Sequence, residues 1–254
     1  MSILSQASKP EPRAVIATIC GDSGIGKTSL AATFPKPIVI RGEDGLQGIP
    51  VEIMPDALPI IESSDQLWEQ LNALIGEPHE YKTLIIDSVT ALERLFIQEV
   101  MKIPVNGKLP RSINQALGGY GAGAGSVANS HQRVRKAIGL LNEKRNMNVV
   151  FIAHADTETI ELPDQDPYTR YCLRLGKKSM APYVDDCDLV GFLKLRTFTK
   201  GDGEKKKAIS DGQRVLVTYT VAANVSKNRY GIEEDLIIGK GENPLIDLIP
   251  GINN

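Results

Sequence analysis

Residues 21–28 read Gly-Asp-Ser-Gly-Ile-Gly-Lys-Thr, the spacing G-x-x-x-x-G-K-[ST], between the apolar run from Ala14 to Cys20 and the helix-like segment Ser29-Leu30-Ala31-Ala32. Such a stretch binds phosphate for a physical reason. Gly21, Gly24 and Gly26 permit backbone conformations in which successive N–H groups converge on the β-phosphate, and the helix that follows adds its positive end. Lys27 is expected to reach the β- and γ-phosphates, and Thr28 to hold Mg²⁺ through its hydroxyl. The expected cradle is Gly21, Asp22, Ser23, Gly24, Ile25, Gly26, Lys27, Thr28 and Ser29, with ATP and Mg²⁺ as its ligands.

Three further groups have the chemistry to act beside such a loop. The predicted strand Ile38-Val39-Ile40 runs into Arg41-Gly42-Glu43-Asp44-Gly45, and carboxyl ends of strands are where open parallel sheets place ligands, so Glu43 or Asp44 is a candidate catalytic acid and a solvated turn is the alternative. Lys82 to Ser88 is a β-branched run ending in Asp87, the form in which an apolar strand delivers an acid to a water on Mg²⁺. Asn148 to Ala153 is a strand ending at His154-Ala155-Asp156, which makes His154 either a γ-phosphate sensor or a structural residue.

The elements that must position these groups alternate between strand and helix. A strand over 13–20 feeds the loop, and its helix closes before Pro35 and Pro37. A short strand is expected at Val51-Glu52-Ile53, then a helix capped by Ser63, Ser64 or Asp65 that buries Leu67, Leu71 and Leu74, with Trp68 in the core. Helical spacing of Val89, Leu92, Phe96 and Val100 predicts a helix from Ser88 to about Ile103. Residues 104–125 carry Gly118, Gly119, Gly121, Gly123 and Gly125 and are expected to form no packed element. With Lys108, Arg111 and Tyr120 there, the stretch is either a nucleic-acid loop or a linker. A helix over 126–146 is expected to leave His131, Arg133, Arg135 and Lys136 largely outside.

Beyond residue 156 the pattern turns to hairpins. Thr157–Leu162 and Tyr168–Leu175 flank a Pro-rich turn, the second arm carrying Arg170 and Arg174. Asp188 to Leu195 and Arg214 to Val221 are further strands, joined through a tip at Gly201 to Lys207, and antiparallel additions of this kind are common at the edge of a parallel sheet. Lys227-Asn228-Arg229-Tyr230-Gly231 reads as an exposed turn with two cations. In an assembly such a turn has the chemistry of a trans-acting finger on a neighbour's γ-phosphate.

Composition narrows the class. At 254 residues with 42% hydrophobic content, the chain is long enough for one large α/β domain, and we expect a flexible tail over 1–12, a single domain over 13–240 and a C-terminal tail over 241–254. A net charge of −2 argues that any nucleic-acid contact comes from local basic patches, not from the overall field. Cys20, Cys172 and Cys187 lack metal-ligand spacing and read as buried thiols in a reducing compartment. No run reaches the ~18–20 apolar residues of a membrane span, so a cytoplasmic protein with no membrane partner is expected.

The order of these parts resembles the core ATPase of RecA-type recombinases and the related ring helicases: GDSGIGKT, IRGEDG, LIIDSVTAL, VVFIAH and SKNRYG follow one another over about residues 13–232. The resemblance implies a RecA-like P-loop core with a mostly parallel central sheet flanked by helices and C-terminal antiparallel strands extending it. It implies that Glu43 polarises the attacking water, that Asp87 is the second acid, and that Lys227 and Arg229 act across a subunit interface. His154 stands where many members carry a glutamine that couples γ-phosphate to the DNA loops. Residues 104–125 and 155–178 fall where those loops lie, which makes Lys108, Arg111, Tyr120, Arg170 and Arg174 candidate DNA contacts. More narrowly, SLAATFPKP, EYKTLIIDSVT and KNRYG are similar to small stand-alone phage-encoded ATPases of this superfamily, associated with single-strand annealing and recombination alongside a single-stranded-DNA-binding protein.

The expectation is therefore an ATPase that forms a homo-oligomer, ring or filament, on single-stranded DNA, with ATP at subunit interfaces, in the host cytoplasm if phage-encoded. A ring helicase or packaging-type motor is the nearest alternative. A small-molecule or nucleotide kinase shares the loop but needs an Arg-bearing lid, which the sequence does not show, and Glu43 argues against a non-hydrolysing module.

Overall fold

Central strands buried on both faces must be apolar throughout, and it is these runs that build the middle of the sheet. The computed structural model describes residues 3–9, 11–200 and 207–253. In chain order the strands are β1 (Ile16–Gly21), β2 (Pro37–Arg41), β3 (Asp56–Ala57), β4 (Thr83–Asp87), β5 (Asn148–Leu162), β6 (Gln165–Leu173), β7 (Leu189–Lys200), β8 (Lys207–Val217), β9 (Lys227–Asn228) and β10 (Leu236–Ile238). The helices are α1 (Lys27–Ala31), α2 (Ser64–Gly76), α3 (Val89–Met101), α4 (Ala122–Arg145), α5 (Ala181–Val184) and α6 (Leu245–Leu248).

The sheet order is β10-β8-β7-β1-β5-β4-β2-β3, with β6 paired to β5 and β9 to β7. Strands β7, β1, β5, β4, β2 and β3 are mutually parallel, whereas β8, β9 and β10 add antiparallel at one side. This is the α/β architecture expected. Side chains alternate between two cores. Ile38, Ile40, Leu84, Ile86, Val149 and Phe151 pack under α2, α3 and α4, while Val39, Ile85, Val150 and Ile152 face α1 and the C-terminal segment.

Ser63 and Ser88 cap α2 and α3, each side-chain oxygen accepting from a backbone N–H three residues on, Gln66 and Ala91 respectively. The strand expected at Val51–Ile53 is instead a 3₁₀ turn, and the bridge to β2 forms later, at Asp56–Ala57. Three residues are too few for a period-2 pattern to outweigh local turn geometry.

Four other expectations are corrected. First, β5 does not end at Ala153 but continues to Leu162, leaving the parallel sheet after His154 and pairing onward with β6 as a hairpin arm. Second, α4 begins at Ala122, so Gly123 and Gly125 are helical. Gly123 is buried because the chain passes tightly there: a Cβ on it would lie 2.3 Å from the Ile113 carbonyl oxygen. Third, His131 is fully buried, whereas Arg133 and Lys136 are exposed as expected, Arg133 lying over the Trp68 ring at 4.8 Å. Fourth, Lys227 is not in an open turn; it starts β9, half-buried against β7. Residues 241–253, set apart as a tail by composition, contribute Leu245, Ile249 and Ile252 to the second core. Of the expected tip at 201–207, residues 201–206 lie outside the described residues and Lys207 begins β8. Cys20, Cys172 and Cys187 are free and buried, as expected.

Candidate active site

Register decides which side chains meet. Gly21 pairs with His154, Asp87 with Ile152, and Arg41 with Asp87, so β1, β5, β4 and β2 deliver their carboxyl ends to one edge. Between them lies a cavity of about 370 Å³ lined by Gly24, Lys27, Thr28, Glu43, Asp87 and His154, among others.

The loop takes the form its glycines permit: Gly24 and Gly26 have φ of 76° and 97°, a region that L side chains rarely adopt. Lys27 is buried, its ammonium donating to the carbonyl oxygens of Gly21 (2.9 Å) and Asp22 (2.8 Å). Burial lowers its pKa. Thr28 Oγ1 donates to Asp87 Oδ2 at 2.7 Å. Burial pushes the Asp87 carboxyl up, against the hydrogen bond from Thr28, which pulls it down. This hard-oxygen pair at the foot of the loop, one acid and one hydroxyl, fits a site for Mg²⁺.

Glu43 follows β2, and the Gly42 N–H donating to the Asp87 carbonyl oxygen at 2.7 Å draws it toward β4. Its Oε1 accepts from Ser88 Oγ (2.7 Å) and from His154 Nε2 (3.0 Å), and its Oε2 from Arg94 Nη2 (3.0 Å). The hydrogen bond from His154 is the largest influence holding its pKa down at about 2; burial opposes it and the Ser88 bond assists. Glu43 is thus an acceptor at neutral pH, which makes His154 Nε2 the donor, while Nδ1 lies 3.2 Å from Ser23 Oγ. His154 spans from the phosphate loop to the candidate catalytic acid. Asp44 faces the same cavity but turns to Gln47 Nε2 (3.0 Å).

Lys227 and Arg229 are not brought to the chain's own loop. Arg229 Nη1 pairs with Asp188 Oδ1 at 2.9 Å, and Lys227 Nζ donates to the carbonyl oxygens of Asp185 (2.6 Å) and Val184 (3.3 Å). Asp188 immediately precedes β7 and accepts from the Ile16 N–H (3.1 Å), at the start of β1. The loop is at the other end of that strand, roughly 16 Å away at ~3.3 Å per residue.

The candidate DNA-contact residues divide. Arg174 is exposed on a groove of about 560 Å³ with Arg94, Lys177 and Lys178, walled by Ile113 and Val127. Tyr120 is fully exposed with φ of 51°, and Lys108 and Arg111 are exposed, all three outside that groove's lining. Arg170 pairs with Glu158 across the β5–β6 hairpin at 2.9 Å.

Sequence reasoning missed Ser88, Arg94 and Arg214. The first two had a faint signal: Ser88 adjoins Asp87, and Arg94 occupies a polar position of the amphipathic α3. Arg214, whose guanidinium lies against Gly26 of the loop, had none, because only the strand order β8-β7-β1 brings it there.

No curated protein matches the chain. Among solved structures it is similar to the RadB recombinase, at 13% identity and a TM-score of 0.47, over 82% of this chain and 81% of that one. The family described as "AAA domain" matches residues 13–230, a span from just before β1 through β9 that holds the phosphate loop, Glu43, Asp87 and His154, and the chain belongs to that family.

Proposed function

We propose that this protein is a Mg²⁺-dependent ATPase that assembles on single-stranded DNA and supports recombination or annealing. The observation that carries the ATPase reading is the meeting of Lys27, the Thr28–Asp87 pair and the Glu43–His154 pair at one sheet edge. The loop N–H groups and Lys27 would bind the β- and γ-phosphates. Thr28 and Asp87 would hold Mg²⁺, which when bound neutralises phosphate charge.

Glu43 has a defined role here. Held at about 2, its carboxylate is a weak proton acceptor, since general bases work best with a pKa near the operating pH. It acts first by orienting a water as a hydrogen-bond acceptor. His154, donating to Glu43 and facing Ser23 of the loop, sits where the state of the terminal phosphate would alter both contacts.

Two observations support the assembly and DNA parts. Lys227 and Arg229 lie at the opposite end of the sheet from their own loop, so a role for them in hydrolysis is across a subunit boundary. The groove carrying Arg94, Arg174, Lys177 and Lys178 sets cations beside apolar walls, a surface suited to a single strand's phosphates and bases.

The test is ATP turnover with and without single-stranded DNA across a salt series. Stimulation that fades with salt is expected. No stimulation together with no salt-sensitive binding overturns the DNA reading. Doping Arg229→Ala subunits into wild type should reduce turnover more steeply than dilution, and strictly linear loss counts against a trans finger.

A further inference from the structure

Arg214 lies on β8 opposite Leu195 of β7, just past the point where β1 ends against Leu193. Since β1 turns into the phosphate loop there, a side chain from the neighbouring hairpin is free to lean over the loop. The Arg214 guanidinium does so. A Cβ at Gly26 would stand 2.3 Å from Arg214 Nη1 and 3.5 Å from its Cζ, so the guanidinium sits directly against the loop backbone. Nη2 donates to the Gly239 carbonyl oxygen at 3.1 Å.

Among the described residues the half-buried charge of Arg214 has no carboxylate within ion-pair distance. Arg135 and Arg145 share that state, and what sets Arg214 apart is its place against the phosphate loop. It lines a cavity of about 600 Å³ with Asp22, Ser23, Gly24 and Ile25. A half-buried cation set against a phosphate-binding loop is placed to meet an anion that the loop holds.

We propose that Arg214 is a nucleotide-binding residue of its own subunit, its guanidinium pairing with the phosphate chain of the nucleoside triphosphate held by residues 21–28. The inference rests on the reading of that loop as an ATP site. Arginine suits the position because its planar fork offers donors to phosphate oxygens while Nη2 keeps the Gly239 carbonyl.

The experiment measures affinity for Mg²⁺-ATP and competition by inorganic tripolyphosphate, for wild type, Arg214→Gln and Arg214→Lys, at several salt concentrations. Glutamine retains a donor for Gly239, so a purely structural tether survives the change. The expected result is that Arg214→Gln weakens ATP and tripolyphosphate roughly ten- to a hundredfold, the scale of lost hydrogen bonds to a charged group. Arg214→Lys should recover part of this, and the salt dependence of binding should flatten in Arg214→Gln.

If wild type binds ATP and Arg214→Gln binds it within about twofold, the Arg214 assignment is overturned and the ATP site stands. Weakened ATP with unchanged tripolyphosphate overturns the phosphate pairing. A wild type that binds neither ligand overturns both this inference and the reading of the loop. Should Arg214→Gln fail to fold, Arg214→Lys carries the test: several-fold weaker binding is expected, and unchanged binding overturns the assignment.

Discussion

His131, which helical periodicity leaves on the outside of α4, is the residue whose removal the structure makes most consequential for stability. It is fully buried, with Nε2 2.6 Å from Glu93 Oε2 on α3 and Nδ1 2.6 Å from the Tyr183 hydroxyl on α5. Burial alone would raise the Glu93 pKa, but the hydrogen bond from His131 carries the net shift downward, so Glu93 accepts. Burial holds the Tyr183 phenol well above its usual value, so it keeps its proton and donates to Nδ1. The acceptor role of Glu93 makes Nε2 of His131 a donor. His131→Leu therefore strands two buried groups at once, one of them charged. At about 1–3 kcal/mol per orphaned group, more for a charge, the loss is about 3–5 kcal/mol. In Tm this is on the order of 10 °C for a domain of this size. Urea unfolding followed through Trp68, the chain's one tryptophan, measures it. Tyr183→Phe should cost less in the His131→Leu background than in wild type, because its partner is already gone. A loss below about 1 kcal/mol at unchanged m, or additive costs in the double variant, would refute the network. Glu93 also accepts from the Gly176 N–H at 2.9 Å, so His131→Leu should loosen the 174–179 segment, seen as faster amide exchange there.

Two glycines in one helix turn should respond oppositely to alanine. Gly125→Ala meets open space and should stabilise by up to about 1 kcal/mol, whereas Gly123→Ala drives a Cβ to 2.3 Å from the Ile113 carbonyl oxygen and should destabilise, as thermal melting of the pair will check. Glu43→Gln should lower turnover roughly 10²-fold, the scale of a misplaced reacting group, while ATP affinity stays near wild type, and a fall in affinity that matched the loss of rate would point to a binding role. The same substitution has a pH signature. Glu43 goes from 4.5 unfolded to about 2 folded, so its contribution to stability is complete above about pH 4.5 and lost as pH falls toward 2. The Tm margin of wild type over Glu43→Gln should close across that window, and a margin independent of pH would count against the assignment. Burial pushes the Cys20 thiol up to about 12 and Cys187 to about 11, so both should label with a thiol reagent only on unfolding; rapid labelling of the native protein would contradict their burial.

Much of the site was legible in the amino-acid order because its signals are local. The 21–28 spacing, the apolar run ending in Asp87 and the acid after Ile38-Val39-Ile40 each reflect a strand buried on both faces that must stop where polar chemistry begins. A property carried by a few consecutive residues needs no knowledge of the rest of the chain. His154 was found in the same way, although its strand runs on to Leu162, because the alternation that would mark a half-exposed strand begins only after β5 leaves the parallel sheet.

Contacts between distant segments were another matter, and tertiary structure alone decided them. Register placed Ser88, Arg94 and His154 on Glu43 and so set its acidity. Helix packing buried His131 and turned a glycine-rich stretch into the first turn of α4, since a close approach shows only when the segment approached is in place. The C-terminal segment was set apart because Pro244 and Pro250 interrupt it, yet Leu245, Ile249 and Ile252, at the helical spacing i, i+4, i+7, fill a core. Arg214 is the clearest case. From sequence it is one cation in an edge strand, and only the strand order β8-β7-β1 brings it over Gly26.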